Sequence, residues 1–111
     1  MNASELLISK ELLSEVLGYQ VTKISLLNTR TNSINITGDT EKYTPRTTSI
    51  SIYALQHLCK EWALSKGHTF NVQMSNDRTL VYIGSINVDI SAKTEPEAIF
   101  KACDFILRKI K

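Results

Sequence analysis

Leu6, Leu7, Leu13, Val16 and Leu17 recur near the start of the chain at close to helical spacing. Apolar residues three and four apart share one helix face, and Gly18 stands where a left-handed C-cap belongs. Two starts fit the pattern: Ser9 can cap a helix over 10–17, and Ser4 can cap a longer one. "YQVTKISLL" follows, with Tyr19, Val21 and Lys23 alternating against polar neighbours, and reads as a strand. "RTNS" turns the chain, and "INIT" makes a short second strand that stops at Gly38-Asp39. The polar run "TEKYTPRTTS", with Pro45, reads as loop, so that 37–49 forms one long connection.

A second helix is predicted over 52–66, with Ser51 as N-cap and Gly67 as C-cap. Ile52, Leu55, Leu58, Cys59, Trp62 and Ala63 form its apolar stripe. "TFNVQM" places Phe70, Val72 and Met74 on one strand face, and "SNDR" turns the chain. The even positions from Leu80 to Ile90 are mostly apolar, which predicts one long strand or two strands bent at Gly84 and Ser85. "TEPE" opens a final helix as a capping box, with Thr94 at N-cap and Glu97 three residues on. Ile99, Ala102, Cys103, Ile106, Leu107 and Ile110 continue it at the helical period.

The order is helix, two strands, helix, two or three strands, helix. Short turns between strands favour antiparallel pairing. The fold class expected is α+β: one antiparallel sheet of four to five strands with three helices, in a layered sandwich. At 111 residues, without repeats or linker-like tracts, residues 1–111 are expected to form a single domain. The net charge of +2, with both signs interleaved, gives no electrostatic argument for nucleic acid. Two cysteines are too few for a disulfide framework, the charged and interrupted start "MNASELLISKELLSEVLG" is not expected to act as a signal peptide, and no membrane-length apolar run occurs. These features lead to an expectation of a cytoplasmic protein with reduced thiols and no membrane partner.

"HLCKEWALSKGH" gathers both histidines and one cysteine within His57–His68. Helical geometry separates them. His57 and Cys59, two apart, lie about 200° around the axis from one another, and His68 falls beyond Gly67. No metal site is expected. Cys59 and Cys103 each lie on an apolar stripe and are expected as inert core thiols, close to each other if both helices share a sheet face. Asp89 falls between Val88 and Ile90, on the outward side of its strand. No catalytic motif, phosphate loop or dinucleotide fingerprint occurs, so neither an enzyme nor a bound cofactor is expected. The candidates left are partner-binding residues: Tyr43 and Arg46 in the long loop, and His57, Lys60 and Glu61 on the outward face of the second helix.

Three segments carry a resemblance: "ELLSEVLGYQV", "YTPRTTSISIYALQHLCKEWALSKGH" and "TEPEAIFKACDFIL". Together they resemble small phage and prophage proteins with the phage α-β-α sandwich domain. In that family a short helix ending in glycine precedes the first strand, a tyrosine-containing loop leads into a helix bearing a tryptophan, and a "T-x-x-E-A-I-x-x-A" helix closes the chain. Thr94, Glu97, Ala98, Ile99 and Ala102 match the closing motif, and the stretch from Tyr43 to Ile52 matches the loop. The family's tryptophan falls early in the middle helix, whereas Trp62 falls late. The resemblance supplies no catalytic residues and implies a phage accessory protein in a bacterial host cell. The leading expectation is a non-enzymatic protein that binds a host protein, such as an inhibitor of a bacterial defence system of the anti-CRISPR kind. A nucleic-acid-binding accessory factor, using Lys42, Tyr43, Arg46, Lys60, Lys66, Lys109 and Lys111, is the alternative, and a small-ligand module is a third reading. A homodimer through a sheet edge or the first helix also fits.

Overall fold

A computed structural model describes residues 8–28, 32–41, 44–84, 86 and 88–110. Helix α1 (Lys10–Leu17) is the shorter of the two predicted forms, and a start at Ser4 lies outside the described residues. The Ser9 hydroxyl accepts the Leu12 N–H at 3.0 Å, satisfying one donor that a helix start leaves without an internal partner. Gly18 ends the helix at φ 82, where a side chain would be strained, and donates its N–H to the Ser14 carbonyl at 3.0 Å. The Ser14 hydroxyl then accepts the Val21 N–H at 2.9 Å and fixes how the next strand leaves the helix.

Strands β1 (Gln20–Asn28), β2 (Ser33–Glu41) and β3 (Thr44–Ser51) form an antiparallel meander. This corrects the predicted loop over 37–49. The second strand runs through Gly38-Asp39 to Glu41, and Thr47, Thr48 and Ser49 pair with Thr37, Ile36 and Asn35. Those three residues are exposed and polar, so β3 lacks the apolar alternation by which a strand is read from sequence. Cross-strand hydroxyl pairing takes its place, with Thr37 and Thr47 Oγ1 atoms 2.8 Å apart. Pro45 sits on an edge strand, where a residue without an N–H is tolerated.

Strand β1 also departs from simple alternation. Val21 pairs with Gly38 and Lys23 with Thr37, leaving Thr22 as the extra residue of a bulge. The bulge reverses the phase, so Val21 and Ile24 both pack into the core while Lys23 is exposed.

Helix α2 (Ile52–Ser65) starts at Ser51, whose hydroxyl accepts the Ala54 N–H at 3.0 Å. It closes with Gly67 at φ 86. The Gly67 and His68 N–H groups donate to Leu64 and Ala63 carbonyls, each at 3.0 Å, which is a Schellman closure.

Strands β4 (Phe70–Met74), β5 (Thr79–Ile83) and β6 (Val88–Ala92) form a second antiparallel meander. The α+β class therefore holds, but the described residues form two three-stranded sheets, not one sheet of four to five strands. The added strand β3 completes the first meander, and α2 carries the chain away before β4 begins. The even-numbered apolar face predicted from Leu80 to Ile90 also needs correction. In β5 the odd residues Thr79, Val81 and Ile83 are buried and Tyr82 is exposed, whereas in β6 the even residues Val88 and Ile90 are partly buried. The hairpin between them resets the side-chain phase, which a single period of two cannot reveal.

Helix α3 (Glu95–Ile110) begins after Thr94, whose Oγ1 accepts the Glu97 N–H at 3.4 Å. It lies on β5 and β6 with one side and against α2 with another, while α1 rests on β1. That double packing explains why Phe100, off the predicted stripe, is fully buried together with Ile99, Cys103 and Ile106. One core cluster draws on all three helices and both sheets. No helix among the described residues is long and apolar enough to cross a membrane.

Candidate functional site

The five residues marked from sequence separate. His57, Lys60 and Glu61 lie on α2. Arg46 pairs with Gly38 across β2 and β3, with its side chain outside the described residues, and Tyr43 lies outside them altogether.

Helix α2 is sealed on one side by Ile52, Leu55, Gln56, Cys59, Trp62 and Ala63, all buried. Its other side is open. Tyr53 and Leu64 are 61% and 64% exposed. Between them the His57 Nε2 stands 2.9 Å from the Glu61 Oε1, both side chains well exposed. At 100° per residue, Tyr53, His57, Lys60 and Leu64 fall within an arc of about 60°, with Glu61 on its flank. Lys60 also reaches sideways: its Nζ is 3.1 Å from the Glu95 Oε1 in the first turn of α3. Exposed ion pairs of this kind contribute about 0–1 kcal/mol, so they define the chemistry of the face more than its stability. Tyr53 and Leu64 were missed by the sequence reading. The signal for them was present, since both are large apolar residues that fall off the core stripe of an amphipathic helix.

The chemistry raised by "HLCKEWALSKGH" resolves into packing. His57 is exposed and Cys59 fully buried, so they face opposite ways. The Cys103 thiol donates to the Cys59 carbonyl at 3.4 Å, so the two helices do bring the cysteines together, both as free thiols. The contact with Cys59 and burial push the Cys103 thiol far above its ordinary value, which leaves it unsuited to act as a nucleophile. Among the described residues no group of three or more His, Cys, Asp and Glu is placed to hold an ion. Asp89 is exposed on β6, opposite Tyr82 of β5.

A groove of about 430 Å³ runs between the start of α1, β6 and α3, lined by Ile8, Ser9, Ile90, Asp104, Phe105 and Arg108 among others. Ser9 Oγ donates to Asp104 Oδ1 at 2.8 Å. Burial holds the Asp104 carboxyl above its usual range, opposed by the Ser9 hydrogen bond and the Arg108 charge. The Lys109 ammonium lies 5.7 Å from the centroid of the Phe105 ring. The groove thus joins apolar side chains to charges of both signs, and its hydroxyl–carboxylate contact, Ser9 to Asp104, involves the hydroxyl that also caps α1.

Comparison of the chain with protein-family models, with curated proteins and with solved structures found no match.

Proposed function

We propose that this protein is a non-enzymatic phage or prophage accessory protein that acts by binding a bacterial host protein, with inhibition of a defence system as its role. The observation that carries the binding reading is the outward face of α2, where Tyr53 and Leu64 stand exposed around His57 and Glu61. Exposed large apolar residues gain most from burial against a partner, and tyrosine is among the favoured interface anchors. The phage setting rests on the resemblance of the three quoted segments.

The test is capture from bacterial host lysate by immobilised protein, with Tyr53→Glu and Leu64→Glu variants in parallel. The proposal expects a defined host protein retained by the wild type and lost by both variants. Recovery of no such protein, or equal recovery by the folded variants, overturns it.

A further inference from the structure

The open face of α2 is close to a palindrome. Read outward from the level of Leu58 and Cys59, each direction meets a basic residue, His57 or Lys60, and ends at a large exposed apolar one, Tyr53 or Leu64, with the acidic Glu61 on one side and the buried Gln56 at its mirror position. The geometry points to a second copy of this chain as an occupant of this face, bound through an antiparallel α2–α2 contact about a two-fold axis. Such an axis sets Tyr53 against Leu64 of the partner subunit, and Leu64 against Tyr53 of the partner subunit. His57 then lies beside Lys60 and Glu61 of the partner subunit.

Two arguments support this occupant. The first is charge. Glu61 already holds His57 of its own helix at 2.9 Å, and an antiparallel copy offers the same acid–base pair in reverse order, so each carboxylate meets an imidazole from either chain. An isologous interface needs that self-complementarity, because one patch must serve both sides. The second is the placing of the anchors. Tyr53 and Leu64 are 61% and 64% exposed, lie eleven residues apart by their numbering, and so stand about 16 Å apart along the helix. A two-fold contact joins them into two apolar ends around a polar middle. The stripe offers roughly a few hundred Å² per copy, below the area of a standard stable interface, so the dimer is weak and depends on concentration. A host protein binding the same face would compete with it, and failure of the dimer leaves the host-binding reading to its own test.

Sedimentation velocity of the full chain across a wide range, from micromolar to several hundred micromolar, tests the inference. The weight-average mass should climb from the 12.5 kDa of one chain toward twice that value. Tyr53→Glu and Leu64→Glu should each weaken association about tenfold or more, with circular dichroism and melting confirming that the variants fold. Glu61→Lys should weaken it as well, and His57→Glu combined with Glu61→Lys should restore it, because the pair is then inverted on both copies. A chain that stays at 12.5 kDa throughout overturns the inference. So does a dimer that survives Tyr53→Glu and Leu64→Glu, since it must use another face.

Discussion

Ser9 and Asp104, far apart in sequence, meet at 2.8 Å, with the serine hydroxyl donating to the carboxylate. The same hydroxyl oxygen accepts the Leu12 N–H at 3.0 Å. One side chain therefore starts α1 and ties that start to the middle of α3.

Removing the hydroxyl should cost both roles. Ser9→Ala is expected to lower stability by about 1–3 kcal/mol, combining a lost N-cap with a lost hydrogen bond to a charged group. Urea denaturation of the two proteins at neutral pH measures it. A loss below about 0.5 kcal/mol, the level of an ordinary surface substitution, would mean that solvent replaces the contact.

Asp104 has a pH signature of its own. Burial raises its folded value above the ordinary 3.8, so the folded state keeps the proton to higher pH than the unfolded chain does. The folded state binds more protons in that window. This contribution to stability is present below about pH 3.8 and is lost as pH rises through the raised folded value. Asp104→Asn cannot titrate. The stability of the wild type relative to this variant should therefore fall with rising pH across that window and then level off. Paired urea titrations over a pH series give the difference, and a difference that rises with pH would show the carboxylate to be held below its ordinary range instead.

Gly38 is required by a close approach. A Cβ there would run into the Gln20 carbonyl oxygen and stand 2.7 Å from the Tyr19 ring. The nearest obstacle is backbone within the β1–β2 pairing and cannot step aside. Gly38→Ala is expected to destabilise by about 1–3 kcal/mol, as overpacking does. Gly84→Ala should be far milder, since its nearest neighbour is the Thr69 hydroxyl at 3.3 Å. Thermal or urea melts of the two variants check the contrast, and equal losses would refute it.

Gly38 also shows why part of the fold escapes a sequence reading. Glycine followed by aspartate signals a turn, yet here the glycine lies mid-strand, where the Gln20 carbonyl and the Tyr19 ring leave no room for a side chain. Helix ends are legible because their causes are local: Ser9, Ser51 and Thr94 precede the helices they cap, and Gly18 and Gly67 end theirs. The His57–Glu61 contact is legible for the same reason, being one helical turn long. Sheet membership is a long-range fact. Nothing in "TPRTTSIS" announces that it pairs with β2, because Thr47, Thr48 and Ser49 follow one another as exposed polar residues without the apolar alternation that marks a strand. The Thr22 bulge and the phase change between β5 and β6 similarly depend on partners that local periodicity does not contain.

The cysteines should report on global unfolding. Cys59 and Cys103 are fully buried, and the Cys103 thiol is occupied with the Cys59 carbonyl. Under native conditions near pH 8 an aromatic disulfide reagent should label neither, and in denaturant it should label both. Because reaction requires opening, the native labelling rate should fall in proportion as a mild stabilising osmolyte lowers the open population. Rapid labelling of one thiol in the native state would place it in a mobile or accessible region and contradict its burial.

Trp62 makes the sharpest test of the core. The side chain is 8% exposed, and its buried Nε1–H has no hydrogen-bond partner among the described residues. Burying a donor without a partner costs about 1–3 kcal/mol. Trp62→Phe removes that cost and also removes part of the ring volume, which leaves a small cavity and acts in the opposite direction. The two effects are of similar size, so the substitution should change stability by no more than about 1 kcal/mol, against about 3–5 kcal/mol for truncation of a buried tryptophan to alanine. Trp62 is the one tryptophan of the chain, so the comparison is followed by circular dichroism in urea. In the wild type its emission should be blue-shifted and should move to longer wavelength on unfolding. A Trp62→Phe loss above about 2 kcal/mol would mean that ring packing outweighs the unpaired N–H, or that the N–H is satisfied after all.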